Sequence, residues 1–466
     1  YSLDANTTGT RNVAIGNASL SANTTANDNV AVGVNALLSN TTGTTNVAVG
    51  KDSAKNVTTG SQNVFMGFES GELTTTGTFN VGIGHQAFAS NTGAATGQYN
   101  TAVGYASLYS ITSASNNSAF GKYALLYCTT GTQNNAFGSG SLQSLTTGNY
   151  NCAFGQATLN ATTTGSNNCA FGDNALQFGT TAGSSVGIGV NALRNTTAGG
   201  NVGIGYAAGV SNTSGDASVS IGYEAGEDKT TGSHLTAIGY RAAMNATTGN
   251  YNTIMGSNSA SSFTSGSSNT GVGYGCLASL TTGFGNVMVG YGTTSYAGNS
   301  NYNIVMGYNC KAYRDYNSFT FGTSTGSDRV YNYFDSNASW SRVSDQRYKE
   351  EIVDNTDCGL DFINDLRPVT FKWKPKADID NTLPDYDQNK TERHYDAKMY
   401  GLIAQEVKQA MDNHNITDFG GWDMEEDSGI QSISQEMFVH PLIKAVQELS
   451  AKCDALQARI DILEGE

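Results

Sequence analysis

Proline is nearly absent from this chain, with four residues in 466 against 56 glycines. So little proline beside so much glycine is unlike an ordinary enzyme and points to a repeat protein. Positive charge is also short: 24 Lys and Arg stand against 39 Asp and Glu, a net charge of -15. The deficit is uneven, because residues 1–340 hold 13 acidic and 10 basic side chains (net -3) and residues 341–466 hold 26 and 14 (net -12). Neither part has the basic stripe that suits nucleic acid. Long apolar runs are missing too. No stretch of about 18 apolar residues is present, so no membrane insertion is expected. The start at Tyr1, without a charged-then-apolar leader, is expected of a soluble fragment or a processed product.

Metal-ligand patterns are lacking as well. The five histidines (His85, His234, His394, His414 and His440) are scattered without ligand spacing, which argues against zinc and against a Ser-His triad. The run Asp423-Met424-Glu425-Glu426-Asp427 lacks the alternating ligands and glycine of a calcium loop and reads as a solvated acidic face. No metal and no cofactor are expected. Seven cysteines form no CxxC pair and read as free thiols. Cys152 and Cys169 occupy the same position in successive repeats and read as small core residues like the valines they replace, with a disulfide as the rival reading.

The repeat fills the first 322 residues. Its unit, Asn12-Val13-Ala14-Ile15-Gly16, returns at Asn29–Gly33 and Asn46–Gly50 and closes for the last time at Gly322. Nineteen closing glycines are spaced by 17, apart from steps of 20, 16 and 15. The residues three and one before each glycine are mostly apolar, and the residue between them is usually Ala, Gly or Ser. That period of two predicts a short strand with a large-residue face and a small-residue face. A second apolar position follows four after the glycine, as in Leu20, Leu37 and Leu108, and Thr-Gly turns such as Thr42-Gly43 precede each strand. Strand, glycine corner, second segment and turn make one coil of a β-solenoid. Stacked coils about 4.8 Å apart turn equal positions into ladders, with asparagines bonding along the axis and large aliphatics in the core. The small-residue face is then expected to pack against identical neighbours, giving a trimer.

Tempting signals in the repeats carry less. Gly271-Val272-Gly273-Tyr274-Gly275 lacks the strand-helix setting of a nucleotide loop. Glu224, Glu227 and Asp228 are too scattered for a glycan hydrolase. Tyrosines just after the glycine (Tyr105, Tyr206, Tyr223, Tyr240, Tyr274, Tyr291 and Tyr308) read as packing along a trimer seam, with a sugar-stacking stripe as the alternative.

Residues 323–343 form a neck with Tyr331, Tyr333, Phe334 and Trp340, whose aromatics are expected to cap the last coil. The acidic remainder, 344–466, reads as α+β. Thr356 or Asp357 can cap a helix with Leu360, Ile363 and Leu366 on one face, ended by Pro368. Strands are predicted at Val369–Trp373, Met399–Ile403 and Ile430–Ile433, and a helix at Ala404–Met411. A last helix places Val439, Leu442, Val446, Leu449, Cys453, Leu456, Ile460 and Leu463 at alternating steps of three and four, the seam of a coiled coil over 439–463.

At the junction stands Ser344-Asp345-Gln346-Arg347-Tyr348-Lys349. A serine and a lysine can act as nucleophile and base when the lysine pKa is lowered, though this spacing alone is common in surface segments. The same chain then carries Leu366-Arg367-Pro368-Val369-Thr370-Phe371-Lys372-Trp373-Lys374, Gly401-Leu402-Ile403-Ala404-Gln405-Glu406-Val407 and Ile443-Lys444-Ala445-Val446-Gln447-Glu448-Leu449. Together these motifs resemble the C-terminal intramolecular chaperone domain, peptidase family S74, of bacteriophage tail fibres and tailspikes. The repeats resemble the heads of trimeric autotransporter adhesins, which are parallel β-roll trimers.

The resemblance implies a mainly β protein: a trimeric parallel β-solenoid, or β-roll, of 17-residue repeats (1–322), a neck (323–343), and a small α+β chaperone domain (344–466) ending in a trimeric coiled-coil helix. It implies one self-cleavage at Val343-Ser344, with Ser344 as nucleophile, Lys349 as general base, and Asp345 and Arg347 in support. Tyr348 stands where the family more often has leucine. The expected protein is a homotrimeric tail fibre, assembled in the host cytoplasm, carried on the virion, and engaging a host cell-surface glycan or protein receptor. The rivals are a structural fibre with an inert, permanently attached trimerisation domain, and a bacterial surface adhesin, for which a leader and a membrane anchor are expected.

Overall fold

Each repeat closes one turn of a parallel β-solenoid. In the computed structural model, which describes all residues except 92, 324–328, 334–340, 343, 345, 384–385, 394–397, 426–428 and 466, three-residue strands recur from Val13–Ile15 to Val287–Val289. Longer strands follow at Ile304–Gly307 and Ser318–Gly322. Consecutive strands pair in parallel at equal repeat positions, as Val13 with Val30 and Val47 with Val64. The 20-residue step is absorbed outside the strand, since Val81 still pairs with Thr101. The chain divides into two compact units, Tyr1–Ser344 and Asp345–Glu466.

The closing glycine is required twice over. At Gly138 φ is +134°, a backbone conformation that side chains rarely adopt, and an added Cβ would stand 2.3 Å from the Gly155 carbonyl oxygen. The turn that follows a closing glycine is left-handed even without glycine, as after Gly121. Leu125, fully buried, holds φ +51°, and Tyr123 holds +63°. Such a backbone costs about 1 kcal/mol per residue, which burial of a leucine side chain, worth roughly 2 kcal/mol, offsets.

The strand faces are the reverse of the expected arrangement. The small middle residues, Ala31, Ala48, Ala102 and Ala119 among them, point inward and are fully buried. The large flanking residues point outward: Ile15 is 61% exposed and Ile188 39%. The reason is the narrow bore of a 17-residue coil. Inside it the turn leucine already meets the middle of the strand, so that a Cβ on Gly203 would come 2.6 Å from Leu193 Cγ. Where a large middle residue does occur, space is cleared for it. Phe65 is fully buried because Gly71 and Gly82 stand where a Cβ would press within 2.5 and 2.7 Å of its ring. Cys152 and Cys169, each the first residue of its strand, are accordingly half-buried on the outward face and are not core residues.

Asparagine ladders bind the coils, as their spacing predicts. Asn134, fully buried, donates from Nδ2 to the Gly148 carbonyl at 2.9 Å and accepts the Asn151 backbone N–H on Oδ1 at 3.0 Å. Where asparagine is replaced the backbone is still satisfied: the Leu235 N–H donates to Ser218 Oγ at 3.1 Å. Such buried amides would otherwise be costly to leave unpaired. The last parallel strand, Ser318–Gly322, is covered by the antiparallel strand Arg329–Tyr333, which pairs in turn with Ser341–Arg342. Tyr331 is buried against Tyr313, ring centroids 3.7 Å apart. Phe334 and Trp340 lie outside the described residues.

The second unit is α+β. Helix α1 (Leu360–Asp365), helix α2 (Ala404–Asn413) and the hairpins Val369–Phe371 with Met399–Gly401 and Trp422–Met424 with Gln431–Ile433 surround a small core. That core is Cys358, Phe362, Val407, Ala410, Met411 and Ile416. The strand at Trp422–Met424 was not expected, because its residues read as an acidic surface run. Helix α3 (Val439–Glu464) closes the unit, packed against α1 and burying Pro441 and Ala445.

Candidate functional site

At the junction the described residues, Ser344 and 346–349, are exposed. Ser344 is the last residue of the first unit and is exposed. A 3-10 turn, Gln346–Tyr348, opens the second, and the Lys349 backbone N–H donates to the Gln346 carbonyl at 3.0 Å. Arg347 and Lys349 are exposed, and Tyr348 is 59% exposed. The two members of the candidate dyad thus belong to different units. Val343, on the carbonyl side of the expected scissile bond, and the supporting Asp345 lie outside the described residues.

Behind the junction, the second unit is tied to its terminal helix by a residue that motif reading did not single out. Helix α1 starts at Gly359, whose backbone is extended and which supplies no side-chain cap. Neither Thr356 nor Asp357 caps the helix. The carboxylate of Glu448, on α3, accepts the Leu360 N–H at 2.7 Å, and Lys444 approaches the same carboxylate at 3.7 Å. A charged acceptor at a helix start satisfies a donor that the helix itself cannot. A polar cleft of about 310 Å³ opens beside this cap, lined by Thr356, Asp357, Gly359, Asp361, His414 and Glu448. His414 Nε2 stands 2.9 Å from Asp365 Oδ2 at the other end of α1. Glu448 stands within the motif of residues 443–449, but no local signal marks it as a cap, since its partner is 88 positions away.

The other face of α3 is bare within one chain. Val439, Leu442, Val446, Leu449, Leu456, Ile460 and Leu463 are all between 45% and 65% exposed, and Cys453 is exposed with them. These are the heptad positions, so the apolar seam faces away from the unit's own core.

Comparison with known families falls on the junction and the part of the second unit before α3. Residues 344–416 match the chaperone of endosialidase family. The match begins at Ser344 and takes in the 3-10 turn, α1, the first hairpin and α2. The matched segment therefore starts where the solenoid unit ends. No curated protein and no solved structure matches the chain. Among the described residues, no group of three or more His, Cys, Asp or Glu could hold a metal ion, and no helix is long and apolar enough to cross a membrane.

Proposed function

We propose that this protein is a bacteriophage tail fibre or receptor-binding appendage, a homotrimeric β-solenoid whose C-terminal unit directs trimer assembly and then cleaves itself off at Val343-Ser344. The observation that carries this reading is the chaperone-of-endosialidase match starting at an exposed serine where two compact units meet. A nucleophile that must reach its own backbone suits an exposed serine, and release there would part shaft from chaperone without cutting either.

Two apolar surfaces support assembly from copies of the same chain. The first is the α3 seam, whose three-and-four spacing suits a coiled coil. The second is the outward ladder one residue before each closing glycine, which holds only Ile, Val, Met or Phe in all nineteen repeats, from Ile15 to Phe321. A continuous apolar stripe of that kind, half-buried to exposed along its length, marks an interaction surface. Its periodicity is matched by a parallel copy in register. Holding three C-termini together lowers the entropic cost of bringing three shafts into register, where flat repetitive edges otherwise slip.

In the proposed cleavage Lys349, as the free amine, takes the Ser344 hydroxyl proton. Ser344 Oγ then bonds to the Val343 carbonyl carbon, the peptide C–N bond breaks, and the proton passes to the leaving nitrogen. Water hydrolyses the resulting ester, giving a Val343 carboxylate and restoring the serine hydroxyl. Arg347 and Asp345 support the dyad. Loss of the chaperone makes assembly irreversible. The mature fibre on the virion would engage a host cell-surface glycan or protein.

Intact mass of the full chain beside Ser344→Ala and Lys349→Ala tests the reading. Fragments 1–343 and 344–466 are expected from the parent, and uncut chains from both variants. A parent that stays whole while native mass reports a trimer would turn the second unit into a permanent clamp.

A further inference from the structure

The parallel pairing sets Cys152 and Cys169 directly side by side. They are register partners on adjacent strands, each the first residue of its strand, so both side chains project on the same outward face. Adjacent strands run about 4.8 Å apart, inside the Cα separation of about 4.4–6.8 Å that a disulfide spans. Both thiols are half-buried and free. The next residues along the ladder are Asn135 on one side and Val186 on the other, so neither cysteine has another thiol beside it in register. Below them Phe154 and Phe171 stack with centroids 4.8 Å apart, holding the two coils in alignment.

We propose that Cys152 and Cys169 are an oxidisable pair that closes as an intrachain disulfide between consecutive coils when the fibre meets a disulfide oxidant. One thiolate attacks glutathione disulfide and expels a glutathione thiolate. The second cysteine, as its thiolate, then attacks the protein sulfur of the mixed disulfide and expels the second glutathione thiolate. One S–S bond forms, the two protons lost by the cysteines pass to the two glutathione thiolates, and one glutathione disulfide is thereby reduced to two glutathione thiols. The Cys152 thiol is held above its ordinary pKa by burial and by its cysteine neighbour, so the exchange is slow at neutral pH and quickens in mild alkali. Cys128 is the nearest rival in sequence, but it is fully buried in the coil and its pKa is pushed up to about 12 by burial.

Digestion supplies a direct readout. No Lys or Arg lies between Lys122 and Arg194, so trypsin releases Cys128, Cys152 and Cys169 on one peptide. The full chain carrying Cys453→Ser, to remove the exposed thiol of α3, is incubated with oxidised glutathione, denatured, alkylated without reduction and digested. The expected peptide is lighter by two hydrogens and carries a single alkyl group. After reduction, or in Cys169→Ser, that internal loop is lost. Three alkyl groups on the oxidised peptide, a glutathione adduct left on either cysteine, or chains cross-linked to one another on a non-reducing gel would each overturn the proposal. The outcome is independent of whether Ser344 cleaves.

Discussion

The two units solve the same problem, burying enough surface to stay folded, in opposite ways. The solenoid buries little apolar volume per residue and compensates with repetition. Its interior is alanine and leucine, and its polar ladders, such as Asn117, Asn134 and Asn151, are as buried as its leucines. The C-terminal unit instead relies on one small core around Phe362 and leaves most of α3 uncovered. A repeat that touches only its neighbours is stable once formed but has no preferred place to start. A unit with a single core and a bare seam is suited to starting assembly. Under the proposed function, the difference suits the tail to nucleation and the shaft to endurance.

The comparison is most open to attack at Phe362. It is fully buried, with edge-on contacts to Phe419 and His414, and Phe362→Ala is expected to cost about 4 kcal/mol. A core this small does not survive that, so amide exchange should show protection lost across residues 345–466. If the tail assists the shaft as proposed, the yield of soluble shaft should fall with it. An unchanged yield would sever the dependence of shaft on tail.

In the shaft an equal insult should stay local. Gly138→Ala forces a side chain onto φ +134° and against the Gly155 carbonyl, a penalty of about 3 kcal/mol. Exchange should quicken in the coils on either side of Gly138 and stay slow in coils far from it. Asn134→Leu is milder. It strips the acceptor from the Asn151 backbone N–H and side-chain amide, costing about 2 kcal/mol, and the Asn151 amide should lose protection first. If either change melted all the coils together, the shaft would be one cooperative body and the contrast with the tail would fail.

Much of this was legible in the residues, for reasons that differ by feature. The glycine column announces itself because backbone conformation and close approach both forbid a side chain at Gly138 and its equivalents. The asparagine ladder follows from the period alone. Which strand face turns inward was not legible, because alternation is unchanged when the two faces are exchanged. The deciding quantity is the bore of the coil, and it is visible only in compensations such as Phe65 with Gly71 and Gly82. In the tail, α1, α2 and the first hairpin followed from periodicity and Pro368. The α1 cap did not, since Glu448 is brought to Leu360 by the fold. The candidate dyad rests on motif order, because Ser344 and Lys349 fall in different units.

Lys229 offers the finest test of the shaft. It occupies the column held by Asn212 one coil earlier and Ala246 one coil later, is 2% exposed, and its Nζ has no hydrogen-bond partner. Burial drives its pKa from 10.5 down to about 8, and the Asp216 carboxylate offsets only part of that. Below pH 8 the lysine is charged in both folded and unfolded chains, and the full desolvation penalty weighs on the fold. Between pH 8 and 10.5 the unfolded chain holds the proton more tightly, so the stability of this coil rises with pH across that window. Lys229→Met fills the same space without a charge and should stabilise the coil by about 1–2 kcal/mol at neutral pH. The rise in stability between pH 8 and 10.5 should then be absent from the variant. Amide exchange of Gly215 and Leu235, followed in parent and variant from pH 7 to 10.5 and corrected for the intrinsic rate, reads both effects. A variant no better protected than the parent at pH 7 would mean that the shaft tolerates a buried cation without cost, and that its coils are less closely packed than the tail's single core.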